Sequence, residues 1–137
     1  MQFENKLVAV INEKIEPGVA MNALAHMCIG FGATLGVEAL RLVDYIDANQ
    51  GIHPQISEMP FIILKANSNK IRETRKAAQA ANIRYADFTD TMTIGTYVEQ
   101  LERTLKTHEP DLTYYGIVLF GPWDVVSAMT KKFSLLK

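Results

Sequence analysis

The sequence predicts an α/β domain, a three-layer α/β/α sandwich in which helices cover both faces of a mixed, largely buried sheet of about four main strands. Three observations predict it. Short apolar or β-branched runs recur at Lys6–Ile11, Phe61–Lys65, Arg84–Thr89 and Thr113–Phe120, each of strand length. Helix start and stop signals stand between those runs. No internal repeat or linker divides the 137 residues, so residues 1–137 read as a single domain.

In chain order, KLVAVI is the first strand, and Pro17-Gly18 then punctuates. A helix follows to about Phe31, where Gly30, Gly32 and Gly36 weaken and end it. Leu40–Tyr45 and Ile52–Ile56 flank the turn signal Asn49-Gln50-Gly51, which predicts a β-hairpin or extended arm. FIILK is again a continuous apolar strand. Asn67-Ser68-Asn69 offers N-cap residues to a helix with Ile71, Thr74, Ala77, Ala78 and Ala81 on its inner side. RYADFT reads as a strand, and Thr96-Tyr97-Val98-Glu99 fits a capping box that opens a helix to about Thr107, stopped by Pro110. After the strand Thr113–Phe120, Pro122 suits the first turn of a final helix. Asp124 lies near that helix's positive end and Lys131-Lys132 near its negative one.

Composition narrows the function. The chain is 48% hydrophobic and 21% charged, as ordinary globular chains are. A net charge of −1 and a pI near 6.3 argue against a nucleic-acid partner, which is usually met with a basic surface. Cys28 is the single cysteine, so no internal disulfide forms and a reducing, cytoplasmic setting is expected. The N-terminal MQFENKLVAVI does not suit a signal peptide. Val19–Val37 is long and apolar, but Asn22, His26, Thr34 and a high alanine content make it a buried helix of a soluble protein rather than a membrane span.

In open α/β sheets ligands collect beyond the C-terminal ends of the strands. The loops Asn12–Gly18, Ala66–Asn69, Asp90–Thr93 and Gly121–Trp123 are expected to meet at that edge. Asn22 and His26, four apart, share one helix face, and with Gly18 and Gly30 they form a stripe of polar and small residues. The stripe could line a pocket, admit a second subunit, or simply face water. Asp90 could serve as a general base or ligand acceptor, or as an ordinary turn carboxylate. His53 and Glu58 are too loosely spaced for a metal site, and no phosphate loop or nucleophile elbow is present. The basic segment KIRETRK reads as a solvated helix face.

Four segments carry a resemblance: PGVAMNALAH, HPQISEMP, DFTD and YYGIVLFGP. Together they resemble the landmarks of a family of uncharacterised small bacterial proteins with the peptidyl-tRNA hydrolase II fold, and they span the chain almost end to end. The resemblance implies that fold. Active hydrolases of the fold resemble G-K-x-A-A-Q-x-x-H at the first helix. Here Gly18 and His26 match, while the lysine falls on Val19 and the glutamine on Ala23. Asp90 matches the later aspartate loop, with Thr91 or Thr93 near the hydrolases' threonine, and Thr96–Thr107 resembles an inserted helix. Without a cation to hold phosphate or polarise an ester, ordinary peptidyl-tRNA hydrolysis is not expected.

The combined expectation is a small-ligand site with Asp90 and His26 as catalytic candidates and Gly18, Asn22, Thr91, Thr93 and Gly121 as binding residues. It calls for no cofactor or metal. A homodimeric interaction module and a residual hydrolase are the alternatives.

Overall fold

The computed structural model describes residues 3–137. The main sheet is built from β1 (Asn5–Asn12), β4 (Phe61–Ala66), β5 (Arg84–Thr89), β6 (Tyr114–Pro122) and the short β7 (Ser134–Leu135). Its order is β5-β6-β1-β4-β7. β1 and β4 are parallel, with Val8 opposite Ile62, while β6 runs antiparallel to both β1 and β5. The mixed sheet is therefore as expected, with β7 added as a two-residue fifth strand too short to signal itself. β1, β4 and β5 all end at one rim, and β6 begins there.

Side chains alternate across the sheet and sort the core into two layers. Leu7, Ala9 and Ile11 of β1 join Val118 and Phe120 of β6 on one side. Val8 and Val10 join Ile117 and Leu119 on the other. A bulge in β6 lets Phe88 pair with Gly116 and Thr89 with Tyr114. Tyr114 accordingly packs with one layer and Tyr115 with the other. The first layer is roofed by α1 (Pro17–Ala39), the second by α2 (Ser68–Ala80) and α4 (Trp123–Thr130).

α1 meets the sheet through Ala23, Met27, Phe31 and Leu35, one residue per turn. It runs past the glycines expected to end it. Each interior glycine costs about 1 kcal/mol, whereas burying Phe31 and Leu35 returns about 1.5–3 kcal/mol apiece, so packing overrides propensity. Only Gly36 breaks the regular conformation, at φ 86°. Gly116 lies under α1 because a Cβ there would meet Met27 Cε at 2.8 Å and Ile11 Cδ1 at 3.0 Å.

The expectation that this helix is buried is corrected. Only 22% of its most apolar 18-residue window is buried, although by length and composition the helix could cross a membrane. The sequence carries no Asp, Glu, Lys or Arg between Glu16 and Glu38, so one stripe satisfies the sheet while an equally uncharged outer side is left exposed.

β2 (Leu42–Ile46) and β3 (Ile52–Ser57) form the expected arm, a separate antiparallel ribbon. Its root is fixed by the Ser57 hydroxyl donating to Leu40 O, by Arg41 paired with Glu58 at 2.6 Å, and by buried Met59. At the tip, Asp47 Oδ1 accepts from Asn49 N and Gly51 N, and Oδ2 contacts His53 Nε2 at 2.8 Å. His53 thus closes a turn. The helix α3 (Tyr97–Leu105) opens with the predicted capping box between Thr96 and Glu99. It docks through polar bonds and leaves Tyr97, Val98, Leu101 and Leu105 exposed.

Candidate functional site

The rim where β1, β4 and β5 end is the place that topology assigns to ligands. At the end of β1, Asn12 is buried and both ends of its amide are engaged. Its Nδ2 donates to Tyr114 O at 2.9 Å, and its Oδ1 accepts from Lys14 N at 2.9 Å. Asn12 thereby ties the β1–α1 turn to the first residue of β6. The turn delivers Pro17 to the start of α1, where the N-cap Glu16 makes no side-chain cap bond. Between this turn, the first turns of α1 and the chain's C-terminus lies a cavity of about 560 Å³. Its walls include Ile11, Ile15, Ala20, Met21 and Leu136, with Glu13 and Lys137 supplying one charge of each sign.

Asp90 sits at the same rim, in a 3-10 turn after β5. Its backbone N–H donates to Thr113 O at 2.9 Å, and its Oδ1 accepts from Thr113 N at 3.0 Å. The carboxylate therefore extends the β5–β6 ladder, the turn role weighed against a general base. Thr91 is buried, its hydroxyl within 2.8 Å of both Thr89 and Thr104 hydroxyls, and its carbonyl accepts from Arg103. It anchors α3. Thr93 ends the 3-10 turn half-buried.

Asn22 and His26 are both exposed on α1. The His26 ring stacks on Phe88, with centroids 5.9 Å apart, and Phe88 in turn stacks on Tyr115. His26 lines an open groove of about 340 Å³ with Gly30 and Thr34 of α1 and Tyr85, Asp87 and Phe88 of β5. Gly18 lies exposed in the first turn of α1. Gly121 pairs with Lys6 at the start of β1, at the opposite end of the sheet, because β6 runs antiparallel. The loop Gly121–Trp123 therefore does not join the other three, and a Cβ on Gly121 would meet Ile83 Cδ1 at 2.7 Å. Gly121 is a packing residue.

A second polar cluster was not expected. In the KIRETRK segment, Arg72 and Arg75 are turned inward rather than solvated, their guanidinium groups lying over the rings of Tyr114 and Tyr85. Arg72 Nε donates to Glu109 Oε2 at 2.9 Å, and the buried Tyr114 hydroxyl donates to the same oxygen at 2.8 Å. Arg75 Nε lies 2.8 Å from Asp87 Oδ2 without pointing its N–H at it, so the pair is held by charge more than by a hydrogen bond. Burial lifts the Asp87 carboxyl above its usual range, and Arg75 offsets part of that. No local pattern signals the cluster, since its partners lie 37 residues apart for Arg72–Glu109.

Burial first, and then the bond to Glu109, pushes the Tyr114 phenol up from 10.0 to about 12. The folded state thus holds this proton more tightly than the unfolded chain does. The resulting stabilisation is complete below about pH 10 and is lost as pH rises towards about 12. Urea unfolding followed across that range should show an alkaline loss of stability in wild type that Tyr114→Phe lacks.

Residues 5–137 match a family described as a protein of unknown function, DUF2000. The chain belongs to the DUF2000 family. Its fold is also that of the protein of unknown function Atu0240 from Agrobacterium tumefaciens strain C58, at a TM-score of 0.85. That likeness covers 99% of this chain and 100% of the other at 14% sequence identity, so it speaks for the fold alone. No curated protein matches the sequence. In this DUF2000 domain Gly18 follows Pro17 of the cavity wall, Asp90 Oδ1 is bonded to Thr113 N, and Thr91 is buried beneath α3. The sequence reading missed Ile11, Ile15, Met21 and Leu136 as cavity residues. Each is an ordinary apolar side chain until the parallel pairing of β1 with β4 places the turn.

Proposed function

We propose that the protein binds a small amphipathic molecule at the rim of the sheet, where β1 gives way to α1. The cavity of about 560 Å³ at that point carries the reading. Its size falls within the range of small-molecule sites, and its apolar walls with two isolated charges are the usual composition of one. The site lies beyond the C-terminal ends of strands, where α/β sheets collect ligands. A cytoplasmic setting goes with this reading.

Octanoate and octylamine serve as probes, because they share an apolar body and differ in the sign of the head group. Titrated against the isotopically labelled protein, at least one should shift the methyl signals of Ile11, Ile15 and Met21 saturably. Ile15→Trp, which fills the space, should abolish those shifts. Unsaturable shifts, or shifts confined to the groove beside His26 and Phe88, would contradict the assignment.

A peptidyl-tRNA hydrolase II-like fold with residual hydrolase activity is the weaker reading. Ala23, at the glutamine's place, is fully buried against the sheet, and Val19 offers no cation where the lysine would stand. The Asp90 carboxylate is bonded to Thr113.

A further inference from the structure

We infer that the basic cavity at the end of β4 is a further ligand site, and that it takes a small phosphate monoester. The cavity, of about 390 Å³, lies between the last residues of β4, the first turn of α2 and the turn joining α4 to β7. That volume falls within the range of small-molecule sites. It is separate from the apolar cavity beside α1, with which it shares only Glu13.

Three lysines line it: Lys65, Lys70 and Lys132. Each comes from a different segment of the fold, so their meeting is a product of tertiary structure and not of a local run of charge. Lys65 is half-buried on β4, where it pairs with Ile11 of β1 on one side and Ser134 of β7 on the other. Lys132 is exposed, and its ammonium stands 5.3 Å over the ring of Phe133, itself part of the wall. Neither forms an ion pair among the described residues. Lys70 has a contact of 3.5 Å with Glu73, between two exposed side chains, and such pairs stabilise little.

Glu13 is the one acid in the wall, fixed beside β4 by its backbone N–H donating to Ala66 O at 2.9 Å. The cavity therefore gathers three positive charges against one negative, in a chain whose net charge is −1. Like charges brought together repel, and no ion pair among the described residues offsets Lys65 and Lys132. A phosphate group carries close to two negative charges and three acceptor oxygens, enough to meet all three ammonium groups at once. A carboxylate brings a single charge. The half-buried ring of Phe133 offers apolar surface to the organic part of the molecule. A phosphate monoester meets both features, whereas inorganic phosphate meets only the first.

The experiment is titration of the full chain at low salt with phenyl phosphate, followed on backbone amide signals by NMR. Saturable shifts are expected at Lys65, Asn67 and Phe133, away from Ile15 and Met21, so this site and the rim cavity stand or fall separately. Inorganic phosphate should bind about tenfold more weakly than phenyl phosphate, for want of a ring against Phe133. Lys65→Gln and Lys132→Gln should each weaken phenyl phosphate by about fivefold. Glu13→Gln should strengthen it by about threefold, a gain that no loss of folding produces. Shifts that never saturate, equal affinity for the two phosphates, or affinities unchanged in all three variants would overturn the inference. So would a short single-stranded RNA that shifts these residues where phenyl phosphate does not, since the lysines would then serve a nucleic acid.

Discussion

Tyr114→Ala is expected to lower the unfolding free energy by about 4 kcal/mol, in the middle of the range for deleting a buried ring. Tyr114 is fully buried at the first position of β6. There it joins three elements: its carbonyl accepts from Asn12, its backbone N–H donates to Ser68 Oγ, and its hydroxyl donates to Glu109. The substitution keeps both backbone bonds, so the loss comes from the ring and its hydroxyl. Tyr114→Phe removes the hydroxyl alone and leaves Glu109 its bond from Arg72, so it should cost about 1 kcal/mol. Chemical denaturation of the pair divides packing from hydrogen bonding. Equal costs for Ala and Phe would show that the polar cluster, not the ring, holds this corner.

Met27→Ala is the second large effect, about 3 kcal/mol. Met27 is 4% exposed, and its Cε reaches the surface of β6 at the one point where Gly116 leaves room for it. On the β6 side the gap left behind faces Gly116, which has no side chain to fill it. Met27→Leu conserves the volume and should cost less than about 1.5 kcal/mol. Because Met27 and Tyr114 belong to opposite core layers, the double variant should be additive within about 0.5 kcal/mol. Thermal or urea unfolding of Met27→Ala also reads how firmly α1 is held, since this residue lies mid-stripe between Ala23 and Phe31.

The strands and most helix starts were legible because their signals are local. KLVAVI, FIILK and YYGIVLFGP are apolar enough to be buried on both sides, and Asn67 and Thr96 cap as their side chains dictate. The end of α1 was not legible, since Gly30 and Gly32 weaken a helix locally and only the sheet beneath Phe31 and Leu35 outweighs them. The direction of β6 was also hidden, and with it the place of Gly121, because strand order is decided by pairings more than a hundred residues apart, as between Lys6 and Gly121. Of the candidate site, the meeting of the β1, β4 and β5 ends at one rim was legible, whereas the cavity beside the β1–α1 turn was not. The bond from Thr113 N to Asp90 Oδ1 joins residues 23 apart, so nothing local to DFTD signals it. The apolar character of α1 was plain; that most of it would face outward depends on the sheet being wide enough to cover only one stripe.

Titration of octanoate and octylamine followed on the methyl signals of Ile11, Ile15 and Met21 tests the rim site most directly. The prediction is a saturable shift of those signals by at least one probe in wild type, lost in Ile15→Trp. Shifts that do not saturate, or that survive Ile15→Trp unchanged, would contradict it.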